Sequence, residues 1–268
     1  MSEDDRGSGA RTIALLKTIA ECDATFTLSH LAAEAGLPPS SVHRLLQPLL
    51  RAGIVERASG QAYRAGSELL RIASLILRQV DVGSLARPIL RRVWSEWEET
   101  WSLCVYKHAR HLAIVVESIQ TPHPLRFMIE PFTELSLTWG SLGRAILASL
   151  PDAEAAVAID RPGLGPLSGQ PPATEQEMAN IIAEIRDRGF AEYRSDQMDV
   201  AGIAAVVYRG DGTVLGSVGI TAPAQRLRAA MAPAMAQAVI EAADELSGLL
   251  GHQGPGLLAR ATGAAGAG

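Results

Sequence analysis

Residues 28–70 read LSHLAAEAGLPPSSVHRLLQPLLRAGIVERASGQAYRAGSELL, and the spacing of their apolar side chains dictates a small helical unit. Thr27 stands where an N-cap hydroxyl receives a backbone N–H, and Leu28, Leu31 and Ala32 fall on one side of the helix it opens. Gly36 follows the last turn of that helix as a stop. Pro38-Pro39 opens the next helix, because the first helical N–H groups have no intrahelical acceptor and proline loses nothing there. Val42, Leu45, Leu46 and Leu49 form its buried stripe, and Gly53 ends it. Then Ile54-Val55-Glu56-Arg57 and Gln61-Ala62-Tyr63-Arg64 flank the short turn Ala58-Ser59-Gly60, which reads as a hairpin. Upstream, Arg11 to Cys22 places Ile13, Leu16, Ile19 and Ala20 at helical spacing. Three helices and a hairpin within residues 10–66 describe a winged helix-turn-helix.

The third helix carries a second face. Ser40, Ser41, His43, Arg44 and Gln47 lie away from the apolar stripe. Hydroxyls at a helix start can bond phosphates, and arginine can bind guanine bidentately or clamp a phosphate. Arg57 and Arg64 sit on the hairpin, within reach of a sugar-phosphate backbone. Residues 40–78 hold six arginines against Glu56 and Glu68, a local basic zone in a chain of net charge −5. Double-stranded DNA is the partner this pattern suits; taken alone, the helix also fits the surface of any helical bundle.

The chain of 268 residues is long enough for two cores, and with 47% apolar and 20% charged residues it is globular in composition. Aromatic residues make up 4%, so the cores rest on Ala, Leu, Ile and Val. No apolar run is long enough to span a bilayer, and the acidic start MSEDDRGSGA is not a secretory signal. Cys22 and Cys104 fall in different expected domains, which implies no disulfide framework and suits a reducing cytoplasm.

Residues 1–9 and the Gly/Ala-rich residues 252–268 read as disordered tails. Residues 67–83 read as a linker helix, apolar at Leu69, Leu70, Ala73 and Leu77, with a break at Gly83. Residues 84–251 form the second domain. A helix from Ser84 to about Glu99 precedes strands at Leu103 to Lys107, Leu112 to Ser118 and Leu125 to Ile129. Gly140 to Leu150 is a turn and a helix. Thr174-Glu175-Gln176-Glu177 is a capping box for a helix ending at Gly189. Ile203 to Tyr208 and Val214 to Thr221 are strands joined by Arg209-Gly210-Asp211-Gly212, and Pro223 to Leu250 is largely helical. Strands in hairpins with interspersed helices give an α+β domain with an antiparallel sheet.

Residues 28–70 resemble the DNA-binding domain of the IclR (isocitrate-lyase-regulator) family of transcriptional regulators. The second half agrees: LTWGSLGRAILASLP resembles that family's turn-helix motif, IRDRGFAEY its strand-entering Arg-Gly-aromatic motif, and GSVGITAP its last strand. The resemblance spans about residues 10–250. It implies a winged helix domain, a linker helix and a GAF-like effector domain, usually in a homodimer or homotetramer. Pro48 departs from a regular recognition helix, since it removes the hydrogen bond to the Arg44 carbonyl and should bend the helix.

Gly140-Ser141-Leu142-Gly143 opens a helix, and unsatisfied N–H groups at a helix start can hold an anion. By spacing alone, a glycine-bearing bend packed closely on a sheet is the favoured reading of the same turn. The resemblance implies that this turn holds an effector's carboxylate. Carried over residue by residue, it implies an effector site of Ser141, Leu142, Tyr193, Gly202, Gly219 and Thr221. Acidic, thiol and hydroxyl positions of relatives that bind small oxo-acids are here Tyr193, Gly202 and Gly219. Fewer donors and more room point to a larger, less polar carboxylic acid than glyoxylate or pyruvate, a hydrophobic or aromatic one.

Cys104, His108 and His111 lie close in sequence but match no zinc spacing, and the two histidines read as turn residues. Glu96, Glu98 and Glu99 alternate with Trp94, Trp97 and Trp101, which reads as a solvated charged face over an aromatic one, with Trp97 and Trp101 meeting at i, i+4. GLGPLSGQPP, residues 163–172, has no Lys-Ser/Thr after it and reads as a surface loop rather than a phosphate cradle. No Gly-x-Ser-x-Gly elbow or Cys/His nucleophile pair occurs, so an enzyme using the second domain is the weaker alternative, and no cofactor is expected. A third reading has the second domain serving only for oligomerisation.

Overall fold

The computed structural model describes residues 8–22, 24–77, 81–160, 169, 173–228 and 231–254. The chain divides into two compact units, Met1–Val80 and Asp81–Gly268.

The first unit runs α1 (Ser8–Glu21), β1 (Phe26–Thr27), α2 (Leu28–Glu34), α3 (Pro39–Arg51), β2 (Val55–Arg57), β3 (Ala62–Ala65) and α4 (Ser67–Leu77). Thr27 Oγ1 accepts from His30 N at 3.2 Å, so the cap read from sequence opens α2. Gly36 takes a φ of 61° in the turn between α2 and α3, and the Leu37 N–H closes it onto the Ala32 carbonyl at 3.0 Å. Val42, Leu45, Leu46 and Leu49 are buried with Leu31, Ala32 and Val55. α3 runs through Pro48 as one element, and Pro48 is exposed, so the carbonyl it leaves without a donor lies on the solvent side.

Several details differ from the sequence reading. Ser8 and Gly9, assigned to the tail, already belong to α1. α1 buries Leu15 and Ile19, whereas Ile13 is 58% exposed and Ala20 also faces out. The three-residue steps from Ile13 through Leu16 to Ile19 drift around the helix, while the four-residue step from Leu15 to Ile19 holds one side. The hairpin gains a third strand, with order β1-β3-β2, through a two-residue segment too short to show a period. On α4, Leu69 packs on the core, but Leu70, Ala73, Leu75 and Ile76 are exposed.

The second unit begins with α5 (Val82–Trp97), followed by β4 (Thr100–Lys107), β5 (Leu112–Ile119), β6 (Glu134–Ser136), α6 (Gly140–Ser149) and α7 (Asp152–Ile159). α8 (Glu175–Arg188), β7 (Ala191–Ser195), β8 (Val200–Tyr208), β9 (Val214–Ala222) and α9 (Ala232–Leu249) complete it. The strands form one antiparallel sheet in the order β6-β5-β4-β9-β8-β7. α5 and α9 cover one face through Ile89, Leu90, Val239 and Leu246 over Leu103, Ile203 and Ile220. α6 and α8 cover the other through Leu142, Ile146, Met178 and Ile185 over Cys104, Val115 and Ala204. Coverage on both faces explains why β8, VAGIAAVVY, is almost continuously apolar rather than alternating. The capping box at Thr174 forms in both directions, and Gly189 closes α8 at a φ of 78°.

Leu125 to Ile129 is not a strand, and the sheet edge is β6 instead. Its carbonyls are engaged by side chains rather than by a ladder: Leu125 O accepts from Arg226 Nη1 at 2.7 Å, Phe127 O from Thr100 Oγ1 at 3.3 Å and Ile129 O from Gln120 Nε2 at 2.8 Å. Trp97 and Trp101 do not meet on one helix, because α5 ends at Trp97 and Trp101 is fully buried in β4. Glu99 is no solvated charge either. It is buried and takes both Nε and Nη2 of Arg226, at 2.5 and 2.8 Å. The region 163–172 lies outside the described residues except for Gly169, as do residues 1–7 and 255–268 of the expected tails. His252 stacks on Tyr208 at 5.0 Å between ring centroids, so the ordered chain passes the expected boundary at 251.

Arg226 joins Glu99, at the start of β4, to the carbonyl of Leu125, and so adds to the Thr100 and Gln120 bonds that hold the segment between β5 and β6. Replacing Glu99 with Gln removes the carboxylate held by a guanidinium that stays 28% exposed and should destabilise the second unit by about 1–3 kcal/mol. Denaturant unfolding of the purified variant checks this; a midpoint equal to that of the parent would show that the pair contributes nothing.

Candidate DNA-reading face and effector cavity

The outward face of α3 gathers five of the seven residues singled out for DNA contact. Ser40, His43 and Arg44 are exposed, and Ser41 and Gln47 half-buried. His43 Nε2 and Gln47 Nε2 stand 3.4 Å apart, one turn from each other. Among the described residues no carboxylate lies within ion-pair distance of Arg44, so its guanidinium is available to an outside acceptor. Neither Ser40 nor Ser41 caps the helix, whose N-cap residue is Pro38.

The two wing arginines are not brought together. Register pairs Arg57 with Tyr63 and Glu56 with Arg64, so the two arginines point to opposite faces of the hairpin. Arg57 lies over the Tyr63 ring at 5.9 Å. Arg64 Nη2 donates to Glu56 Oε2 at 3.1 Å, and Glu56 Oε1 accepts from the Ser67 N–H at 2.9 Å. The bond from Ser67, then that from Arg64, holds the Glu56 pKa below the ordinary carboxylate value. Arg64 therefore meets a phosphate only in competition with an internal partner, and Arg57 is the freer wing cation.

In the second unit, the start of α6 is pressed onto the sheet. A Cβ on Gly143 would stand 2.0 Å from the Ser136 carbonyl oxygen, so no side chain fits between helix and strand end. Ser217 Oγ donates to the Leu142 carbonyl at 2.8 Å and pins the same turn to β9. Gly140 has a φ of 69°, and the N-cap residue Trp139 supplies no side-chain acceptor. The first turn of α6 thus ends in polar N–H groups without a side-chain cap, carrying the positive end of the helix dipole.

This turn forms one end of a cavity of about 430 Å³. Ser141, Leu142, Tyr193, Gly202 and Thr221 all line it. Phe127, Met128, Ile129, Leu135, Trp139 and Met198 supply its apolar walls. Gly219 does not line it. A Cβ there would lie 2.5 Å from the Ile203 carbonyl oxygen and 2.7 Å from Ala204 Cβ, so this glycine serves the close approach of β8 and β9. Gly202 has a different reason: a Cβ would stand 2.7 Å from Ser141 Oγ, so its bareness admits the serine hydroxyl rather than a larger ligand. The wall from Phe127 to Ile129 is an unbroken apolar run that the sequence reading assigns to a strand. Trp139, beside the glycine turn, carried no separate signal.

A larger concavity, about 960 Å³, opens at the opposite end of the strands beside Tyr106, Arg186 and Tyr208. Its cations are committed internally: Arg186 donates to the Ala148 and Leu150 carbonyls and to Asp152, and Arg209 to the Val214 carbonyl. Cys104 is fully buried in the sheet, and burial pushes its thiol pKa far up. His108 bonds Glu154, while His111 faces the Tyr106 hydroxyl. Among the described residues no three metal-ligating side chains converge, and no helix is long and apolar enough to cross a membrane.

Residues 8–59 match the family model of the IclR helix-turn-helix domain, and residues 74–248 match that of the bacterial transcriptional regulator IclR C-terminal domain. The chain is 26% identical over 239 residues to the transcriptional repressor IclR of Escherichia coli strain K12, covering 88% of this chain and 87% of that one. It is 29% identical over 252 residues to the HTH-type transcriptional regulator BhcR of Paracoccus denitrificans, covering 92% and 88%. The crystal structure of Pseudomonas aeruginosa HmgR superposes with a TM-score of 0.77 at 28% identity, covering 92% of this chain and 99% of that one. A winged helix-turn-helix followed by an α+β domain with a cavity at a helix start, each half matching its own family model, places this chain in the IclR family of DNA-binding transcriptional regulators.

Proposed function

We propose that this regulator is controlled by a carboxylic acid with an apolar, aromatic body, bound with its carboxylate at the first turn of α6. The observation that carries the reading is the cavity itself: apolar walls at Phe127, Ile129, Leu135 and Trp139, and one polar end at an uncapped helix start. Backbone N–H groups and the helix dipole favour an anion there, and the apolar walls favour a hydrophobic remainder. Thr221 and Tyr193 offer hydroxyls to fix its orientation.

α3 enters the major groove of operator DNA with Ser40, Ser41 and Arg44 toward the duplex, His43 and Gln47 beside them, and Arg57 toward the flanking backbone, which Arg64 reaches only by releasing Glu56. The exposed Leu70, Leu75 and Ile76 of α4 support association with a second copy, so that two winged units read paired half-sites in the cytoplasm. The acid acts by binding one arrangement of the assembly better than another, which shifts the population competent for DNA.

A thermal-shift panel tests the effector class: aromatic acids should raise the unfolding midpoint more than glyoxylate or pyruvate, and the reverse order would reject it. Replacing Arg44 with Ala should cost about 1–3 kcal/mol in binding to a footprinted operator if it reads a base, and unchanged affinity would remove it from the interface. Thr221→Val removes a cavity hydroxyl at nearly constant volume, so it should weaken acid binding while leaving the apo midpoint close to the parent's. Gly219→Ala should instead lower the apo midpoint, because its Cβ meets the Ile203 carbonyl at 2.5 Å. A stable Gly219→Ala protein with impaired acid binding would move that glycine back into the site.

A further inference from the structure

We infer that Arg144 is the charge complement of the ligand's carboxylate, a positioning residue behind Tyr193 that makes the cavity prefer an acid to the corresponding neutral amide. This rests on the acid-binding reading above and adds to it a residue outside the cavity lining.

Arg144 sits one turn into α6, on the side of Gly140 and Ser141. Its side chain folds back toward the helix start: Nε donates to the Thr138 carbonyl, six residues upstream, at 3.1 Å. The guanidinium carbon lies 5.1 Å from the centroid of the Tyr193 ring, and that ring lines the cavity. Its protein partners are thus one carbonyl and one aromatic face. Arg87, Arg110, Arg188 and Arg226, by contrast, each hold a carboxylate, while no described carboxylate lies within ion-pair distance of Arg144.

Two electrostatic costs fall on this position. Burial disfavours the charged form and pushes the Arg144 pKa below its ordinary value, only partly offset by Tyr193. In addition, the side chain carries a cation toward the positive end of α6, where the helix dipole favours negative charge. An anion at the first turn of α6 relieves both costs at once. No internal group takes that place: Glu134 is the one carboxylate among the described lining residues, and both its oxygens are taken by Arg110, at 2.6 and 3.0 Å. The Tyr193 ring and the Thr138 carbonyl hold the guanidinium beside the cavity wall without neutralising it.

Isothermal titration of the full chain with benzoate, phenylacetate and 3-phenylpropionate, each beside its primary amide, separates charge from packing. The parent protein should prefer the acid of at least one pair. Arg144→Gln should weaken that acid on the order of tenfold while shifting its amide by no more than about twofold. Arg144→Lys keeps the charge and should keep the preference. An unchanged acid-to-amide ratio in Arg144→Gln, or equal loss of both ligands, overturns the assignment and leaves the acid-binding reading standing. Should Arg144→Gln not fold, Arg144→Lys still decides: loss of the preference with the charge present overturns the assignment. A parent protein that binds none of the acids sinks the acid-binding reading and this inference together.

Discussion

The contact between the first turn of α6 and the sheet is the constraint on which the second unit depends. Gly143 lets the helix reach the Ser136 carbonyl, Gly202 lets Ser141 settle onto β8, and Ser217 bonds the Leu142 carbonyl. A methyl group at Gly143 would hold the helix off the strands. Because the turn sits this low, its N–H groups open into the cavity instead of into a cap. The opposite wall, Phe127 to Ile129, stands free of the sheet because its carbonyls are engaged by the Thr100 and Gln120 side chains. Packing thus creates both a polar end and an apolar body for a ligand.

The DNA-reading unit distributes its charge differently. Among the described residues α3 leaves Arg44 without an internal counter-ion, while the wing ties Arg64 to Glu56 and, through the same carboxylate, to the first turn of α4. A base-reading group gains from being unpaired, since an internal partner must be displaced on binding. A cation bonded within its own hairpin is better suited to fixing the wing than to supplying affinity. Pro48 lies on the exposed side of this helix, one turn from Arg44, while the inner stripe, Val42 to Leu49, is seated in the core.

What could be read from the sequence follows the range of the interactions involved. The α3 stripe, the Thr27 cap and the Thr174–Glu177 box are local, with partners within a turn of each other, and residue order alone exposes them. The family motifs carried over five cavity residues. Partners distant in the chain were hidden. Glu99 meets Arg226 across the fold, so a buried ion-pair member read as a solvated charge. Leu125 to Ile129 is apolar enough to read as a strand, but side chains from elsewhere in the unit take its carbonyls. Gly202 and Gly219 looked equivalent in sequence, and only their neighbours separate them: a serine hydroxyl above one, a strand carbonyl beside the other. Arg144 gave no signal, because a missing counter-ion is a property of the folded surroundings.

The central claim is that an anion at the start of α6 changes how the chain grips DNA. The most direct measurement is the affinity of the full chain for one footprinted operator duplex at fixed salt, with and without a saturating aromatic acid. Energetic coupling between the two sites should shift that affinity by about tenfold, within the ordinary range for linked sites. Identical affinities under demonstrated saturation of the cavity would contradict the claim.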